Sequence, residues 1–113
     1  GYATDERLAE MAFGAFEGLT WKTIAGDFPE EIDAREQGIW AWRPPGGESY
    51  ADVNERLWSV IDELDRDTVM VSHGGLMRCL QAGLARLPRN RILDLKVPQD
   101  QVLVAAGDDI TWL

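Results

Sequence analysis

The stretch at residues 68–75, Thr-Val-Met-Val-Ser-His-Gly-Gly, constrains the fold more than any other part of this chain. Its first half is apolar at consecutive positions, as in a strand that is covered on both faces of a parallel sheet. The apolar run stops at Ser-His-Gly-Gly, and a helical segment at residues 76–87 follows, ended by Pro88. We therefore predict a buried strand at residues 68–72 that leads directly into a helix, which is typical of α/β proteins.

His73 is the only histidine of the 113 residues. Ligands of open α/β sheets bind at the carboxyl ends of the strands, where we expect this side chain to lie. Gly74 and Gly75 would let backbone N–H groups approach a ligand closely, so the pattern favours an anion-binding site. The alternative is a hydrogen-bonded histidine at a strand end without a function. Chemistry that needs a second histidine must take it from outside these residues.

Two short helices are predicted in the first third of the chain. Thr20 is a good N-cap for a helix that runs to Gly26. Pro29 fits the first turn of a second helix, which should stop near Gly38.

Ser49 is predicted to cap the strongest helix, with Asp52 completing a capping box. The apolar residues of that helix recur every three or four positions, at Tyr50, Val53, Leu57, Ile61 and Leu64. Residues 101–106 and 109–113 are predicted to form a terminal hairpin around Gly107-Asp108.

Composition excludes several classes of protein. The chain is one domain at most, residues 1–113, and its net charge of −9 argues against a nucleic-acid partner. We find no apolar run of membrane-spanning length and no signal peptide. The single cysteine, Cys79, fits a reducing compartment, so we expect a cytoplasmic protein. No group of residues has metal-ligand spacing, and there is no phosphate-binding P-loop.

Glu10 is a candidate proton donor. Leu8, Met11, Ala12 and Phe13 surround it in the sequence, and apolar surroundings destabilise the charged form of a carboxyl group. The alternative is an ordinary solvated surface glutamate.

Three more residues are candidates for a substrate pocket, namely Phe13, Arg43 and Glu48. Arg43 could contact an anion, and Glu48 could orient a donor by hydrogen bonding. Trp40 and Trp42 either line this pocket or pack a lid against the body, and we favour packing.

Taken together, three blocks in this order resemble the histidine phosphatase superfamily, the phosphoglycerate mutase-like proteins. The blocks are Arg7-Leu8-Ala9-Glu10 through Phe13-Gly14-Ala15-Phe16-Glu17-Gly18, then Pro45-Gly46-Gly47-Glu48-Ser49, then Val71-Ser72-His73-Gly74-Gly75. The resemblance implies a three-layer α/β/α fold with a mainly parallel sheet. It also implies phosphoryl transfer through a phosphohistidine, without a metal or other cofactor.

The resemblance assigns roles to three residues of this chain. Glu10 matches the glutamate that protonates the leaving oxygen. His73 matches the second histidine, which holds the transferring phosphoryl group, and the N–H of Gly74 would add a phosphate contact.

The chain departs from the family pattern in lacking the Arg-His-Gly motif that carries the nucleophile. We therefore expect it to be the carboxyl-terminal portion of such a domain, with the fold incomplete and the nucleophile outside. A short, weakly basic segment at residues 19–43 favours a phosphatase, of broad specificity or of the α-ribazole-phosphate type, over a mutase.

We expect the ligand to be a small phosphorylated metabolite. A companion amino-terminal segment, or self-association, would cover the faces that an incomplete sheet leaves open. The alternatives to an enzyme are a remnant that binds a phosphorylated ligand without turnover, and an interaction module.

Overall fold

The computed structural model describes residues 1–113 and contains four helices and one small sheet. The elements are α1 (Trp21–Asp27), α2 (Pro29–Gln37), α3 (Tyr50–Ile61), α4 (Gly74–Ala85), β1 (Leu103–Ala106) and β2 (Asp109–Trp112), with 3-10 turns at Glu6–Leu8, Gly14–Phe16 and Arg89–Asp94. The protein is therefore of mixed α/β composition. No helix has the length and apolar character that crossing a membrane requires.

The predicted starts of α1, α2 and α3 are confirmed. The Thr20 hydroxyl accepts the N–H of Thr23 at the start of α1, and Pro29 occupies the first turn of α2. Ser49 and Asp52 form the predicted capping box at α3, because each side chain accepts the backbone N–H of the other residue. Such caps satisfy donors that the first helical turn leaves unpaired.

Helix α4 begins at Gly74, two residues earlier than predicted, with His73 as its N-cap. It ends at Arg86, whose backbone is left-handed, with φ of 54°. A residue other than glycine or asparagine is uncommon in that conformation.

The core lies mainly between α3 and α4. Val53 and Leu57 of α3 pack with Leu76 and Cys79 of α4, and all four are almost completely buried. Ile92, from the 3-10 turn after α4, closes the cluster. Cys79 is a core residue, and its burial raises the pKa of its thiol to about 12.

The predicted terminal hairpin is confirmed as an antiparallel pair of strands. Leu103 lies opposite Trp112 and Ala106 lies opposite Asp109, with Gly107 in the turn at φ of 61°. This pair is the whole sheet of the chain.

The predicted buried strand at residues 68–72 is wrong for this chain. These residues have no strand partner, and Val69 and Val71 are 93% and 91% exposed. A parallel strand is held by hydrogen bonds to neighbouring strands, and no other strand lies beside this segment. A hydrogen bond connects this segment to the rest of the chain: the Ser72 hydroxyl donates to the carbonyl of Leu8 at 2.7 Å. The parallel three-layer sheet is thus not seen within residues 1–113.

Candidate functional site

Two loops that are distant in sequence interlock beside the start of α4. The N–H of Glu48 donates to the carbonyl of Ala12, and the N–H of Ala15 donates to the carbonyl of Pro45, both at 2.8 Å. Gly14, at φ of 54°, has no room for a side chain, because a Cβ there would overlap the backbone around Pro45. A Cβ at Gly47 would lie 2.6 Å from the carbonyl oxygen of Ala12. The backbone that carries Glu10 is therefore fixed by the loop that precedes α3.

Glu10 connects that loop to the N-terminus of α4. Its Oε1 atom accepts the N–H of Met11 at 2.8 Å and the N–H of Gly75 at 3.2 Å. A Cβ at Gly75 would lie 2.7 Å from the same oxygen, so glycine is what allows the approach. Glu10 thereby accepts one of the backbone N–H groups that the first turn of α4 leaves unpaired.

Glu10 is exposed, and the expectation that apolar residues enclose it is wrong. Met11, its neighbour, turns into the core and is 7% exposed, whereas the Glu10 side chain lies along the outside of the α4 start. In an irregular loop, adjacent side chains diverge, so a run of apolar neighbours in sequence does not enclose the residue among them.

His73 and Gly74 lie at the same helix start as Glu10. His73 is exposed, and its extended backbone caps α4 while its side chain makes no capping hydrogen bond. The guanidinium of Arg78 reaches back toward this point, because a Cβ at Gly74 would lie 3.8 Å from its Nη1 atom. The structure therefore brings together Glu10, His73 and Gly74, and adds Arg78, which sequence reasoning missed.

Arg56 of α3 fixes the Glu10 loop through hydrogen bonds to its backbone. Its guanidinium donates to the carbonyl of Arg7 at 2.6 Å and to the carbonyl of Glu10 at 3.2 Å. It also forms an ion pair with Glu48, with Nε to Oε2 at 2.9 Å. Glu48 in turn accepts the N–H of Ala12 at 3.0 Å. Through these contacts Glu48 orients Arg56 and the loop backbone, and its place in a substrate pocket stays a prediction.

Sequence reasoning missed Arg56, although a signal existed. It lies two helical turns after the Ser49 cap, on a helix whose predicted apolar stripe it borders. The hydrogen bonds from Arg56 are the main reason that the pKa of Glu48 lies below its usual range.

Replacing Arg56 with alanine is expected to lower the free energy of unfolding by about 2–3 kcal/mol. The change leaves a partly buried carboxylate and two backbone carbonyls without their donor. Urea denaturation at neutral pH measures the loss. Arg66→Ala is the matched control, because Arg66 is exposed and pairs only with its neighbour Asp65, and a similar loss there would contradict the argument.

The same pair makes a pH-dependent contribution. The Glu48 pKa is lower in the folded chain, so the stabilisation is complete above the unfolded pKa and is lost as the pH falls through the folded value. In Arg56→Ala, the free energy of unfolding should therefore fall less steeply with decreasing pH on the acid side than in the parent chain, as measured by urea denaturation over a series of pH values.

Arg43 is held elsewhere. Its Nε and Nη2 atoms both lie 2.6 Å from the carboxylate of Asp52, which also completes the α3 cap. This two-point pairing raises the pKa of Arg43 and lowers the pKa of Asp52. Arg43 is therefore part of the α3 start, and it does not line the cavity beside Glu10.

Phe13 does line a cavity, of about 250 Å³, beside this site. Its other prominent walls are Trp21, Arg35, Trp42, Tyr50 and Arg78. Trp42 is also fixed in place, because its indole N–H donates to Glu31 at 3.0 Å, so it both packs the α2 segment and lines the cavity.

Two guanidiniums of the cavity have no carboxylate partner. Arg35 lies over the ring of Trp21, at 4.5 Å from its centroid, and Arg78 donates to the carbonyl of Leu95. Neither belongs to the ion pairs of the chain. The cavity therefore carries local positive charge in a chain whose net charge is −9. No group of three or more histidine, cysteine or acidic residues is arranged to hold a metal ion.

The model of the histidine phosphatase superfamily (branch 1) matches residues 1–112. The 6-phosphofructo-2-kinase/fructose-2,6-bisphosphatase of Aquarana catesbeiana is 36% identical over 104 residues, which cover 90% of this chain and 22% of that protein. The fructose-2,6-bisphosphatase of Saccharomyces cerevisiae is 33% identical over 93 residues, or 80% of this chain and 21% of that protein. The chain thus spans about a fifth of these curated relatives.

Solved structures are similar over most of the chain. A mycobacterial glucosyl-3-phosphoglycerate phosphatase bound to inorganic phosphate matches with a TM-score of 0.71 and 32% identity, covering 96% of this chain and 60% of that one. The α-ribazole phosphatase of Shigella flexneri matches with a TM-score of 0.75 over 95% of this chain and 56% of that one. Its 22% identity makes it evidence for the fold alone.

Proposed function

Because the chain belongs to the histidine phosphatase superfamily (branch 1), we propose that it serves phosphoryl transfer through a phosphohistidine. The reaction is the hydrolysis of a phosphomonoester of a small metabolite. The nucleophilic histidine comes from outside these residues, because His73 has another role. A histidine nucleophile divides the displacement into two steps, and fixed donors stabilise the transferring group.

The hydrogen bond from Gly75 to Glu10 is the observation that carries this proposal. It joins a carboxyl group to the helix start where His73 and the N–H of Gly74 would hold a phosphoryl group. Glu10 is then placed to give a proton to the leaving oxygen, and the helix N-terminus is suited to the phosphate. A site that only bound phosphate would gain nothing from a carboxylate there.

The cavity lined by Phe13, Arg35 and Arg78 suggests the class of substrate. Its unpaired guanidiniums would bind a second anionic group on the part of the substrate that does not react. Fructose-2,6-bisphosphatase, the name of several relatives, denotes a substrate with two phosphates. We therefore favour a phosphomonoester that carries a further phosphate or carboxylate, and a phosphatase over a mutase.

The proposal extends to the fold. Residues 68–72 would be one strand of a three-layer α/β/α domain with a mainly parallel sheet, into which a companion segment fits. The similarity of the chain to solved phosphatases over most of its length supports this arrangement. In this arrangement the companion segment would also cover Val69 and Val71.

The first test combines the intact mass of the purified protein, under denaturing conditions, with two assays. We expect the 12.6 kDa chain alone to release no phosphate from p-nitrophenyl phosphate. It should nevertheless bind inorganic phosphate, with an affinity that His73→Ala lowers about tenfold and the control Arg66→Ala leaves unchanged. Adding a segment that contains Arg-His-Gly should restore hydrolysis.

Two results would contradict the proposal. Hydrolysis by material proven to be this chain alone would remove the need for an outside nucleophile. Unchanged phosphate affinity in His73→Ala would remove His73 from the site.

The second candidate is a protein that binds a phosphorylated ligand, or a partner chain, without turnover. The observation that favours it is that the chain has one histidine and no Arg-His-Gly motif. Phosphate binding without hydrolysis after the Arg-His-Gly segment is supplied would support it.

A further inference from the structure

A second cavity, of about 380 Å³, lies between the carboxyl-terminal end of α4 and one face of α3. Its main walls are Trp40, Asn54, Trp58, Gly83, Arg86 and Arg89. None of these residues belongs to the site around Glu10, and the volume falls within the range of small-molecule pockets.

The walls of this cavity are fixed by contacts within the chain. The backbone of Trp40 is held at both sides, because its N–H donates to the side chain of Asn90 at 3.1 Å and its carbonyl accepts the N–H of Ala51 at 3.0 Å. Trp58 packs directly on Gly83, where a Cβ would lie 2.5 Å from the ring. The backbone of Trp40 and the ring of Trp58 are therefore held by contacts within the chain.

The charge of this cavity is opposite to that of the chain. Two arginines line it and no carboxylate does, although the chain has 20 acidic and 11 basic residues. The Arg89 guanidinium lies 5.1 Å from the centre of the Trp40 ring, and Arg86 has no ion pair. Free guanidiniums beside aromatic rings attract a ligand that is both planar and anionic.

Arg86 occupies this position despite its left-handed backbone, at φ of 54°. A glycine would end α4 with less strain. The Arg86 side chain adds a positive charge to the lining of the cavity. This charge also complements the negative end of the α4 dipole.

We propose that this cavity binds a nucleoside monophosphate. Trp40 and Trp58 provide the flat apolar surfaces for the base, and Arg86 with Arg89 binds the phosphate. The amide of Asn54, which both donates and accepts hydrogen bonds, faces the remaining polar edge of the ligand. The site is separate from the phosphatase site and does not depend on the function proposed for it.

Titration of the 113-residue chain with AMP, followed by tryptophan fluorescence and calorimetry, tests the proposal. With inorganic phosphate present to occupy the site around Glu10, we expect saturable binding of one AMP at this site. Adenosine lacks the charge and inorganic phosphate lacks the ring. Each should bind this site with an affinity at least about tenfold lower than that of AMP. Arg86→Ala/Arg89→Ala should weaken AMP binding to a similar extent.

Two control variants make the result specific. Arg66→Ala/Arg91→Ala removes the same amount of charge from exposed arginines that pair with Asp65 and Asp94, and it should bind AMP normally. Arg78→Ala, in the other cavity, reports any AMP that binds beside the Glu10 site. Absence of saturable binding, equal losses in both double variants, or loss of binding in Arg78→Ala alone would each overturn the proposal.

Discussion

Replacing Glu10 with glutamine is expected to lower kcat for an alkyl phosphate about a hundredfold or more, measured with the Arg-His-Gly segment present. Glutamine keeps the oxygen that accepts the N–H groups of Met11 and Gly75, so the loop geometry should remain. What the amide cannot do is deliver a proton to the leaving oxygen. The loss should be much smaller with p-nitrophenyl phosphate, because that leaving group departs as a stable anion.

Glu17→Gln is the matched control for this experiment. The Glu17 carboxylate also accepts a backbone N–H, that of Phe13 at 2.7 Å, and the substitution changes the charge equally in the same loop. We expect its kcat to stay close to that of the parent. A Glu10→Gln variant that loses equal activity on both substrates, or a Glu17→Gln variant that matches it, would assign Glu10 a structural role only.

Replacing Gly14 with alanine is expected to destabilise the chain by about 4 kcal/mol, at the upper end of single substitutions. The new methyl group would overlap the backbone around Pro45, and two backbone segments cannot give way as a flexible side chain can. The hydrogen bonds of Ala15 and Glu48 across the two loops would break with it. Urea denaturation of the purified variant gives the loss.

Gly18→Ala separates the two causes of this effect. Gly18 also has a positive φ, of 76°, but a Cβ there would meet nothing within 4 Å. Its loss should therefore be only the conformational cost of about 1 kcal/mol. Equal losses in the two variants would show that the loops are not interlocked as described.

The sequence predicted those parts of the fold that are encoded locally. The Ser49 and Thr20 caps, the Pro29 start and the Gly107 turn each depend on groups a few residues apart, and all four are confirmed. The strand at residues 68–72 failed because a strand exists only with a neighbour. Its apolar pattern describes what it would pack against, which residues 1–113 do not contain.

The candidate site, too, was predicted only where its residues form local sequence patterns. The blocks around Glu10 and His73 could be read as patterns, and the structure places both at the start of α4. Arg56 and Arg78 are single arginines on helices, and their role depends on which carbonyls and rings lie opposite them in space. For Arg43 the sequence predicted a contact with an anionic ligand. In the structure its guanidinium forms an ion pair with the nearby carboxylate of Asp52 instead.

The interlocked loops have a consequence for how this protein can change. Because Gly14 and Gly47 hold the two loops together, the residues between Gly18 and Arg43 leave the body and return to it at almost one point. That segment includes α1, α2 and four of the residues that line the cavity, Trp21, Arg35, Ile39 and Trp42. Changes of length and sequence there can therefore reshape the walls of the cavity without displacing Glu10.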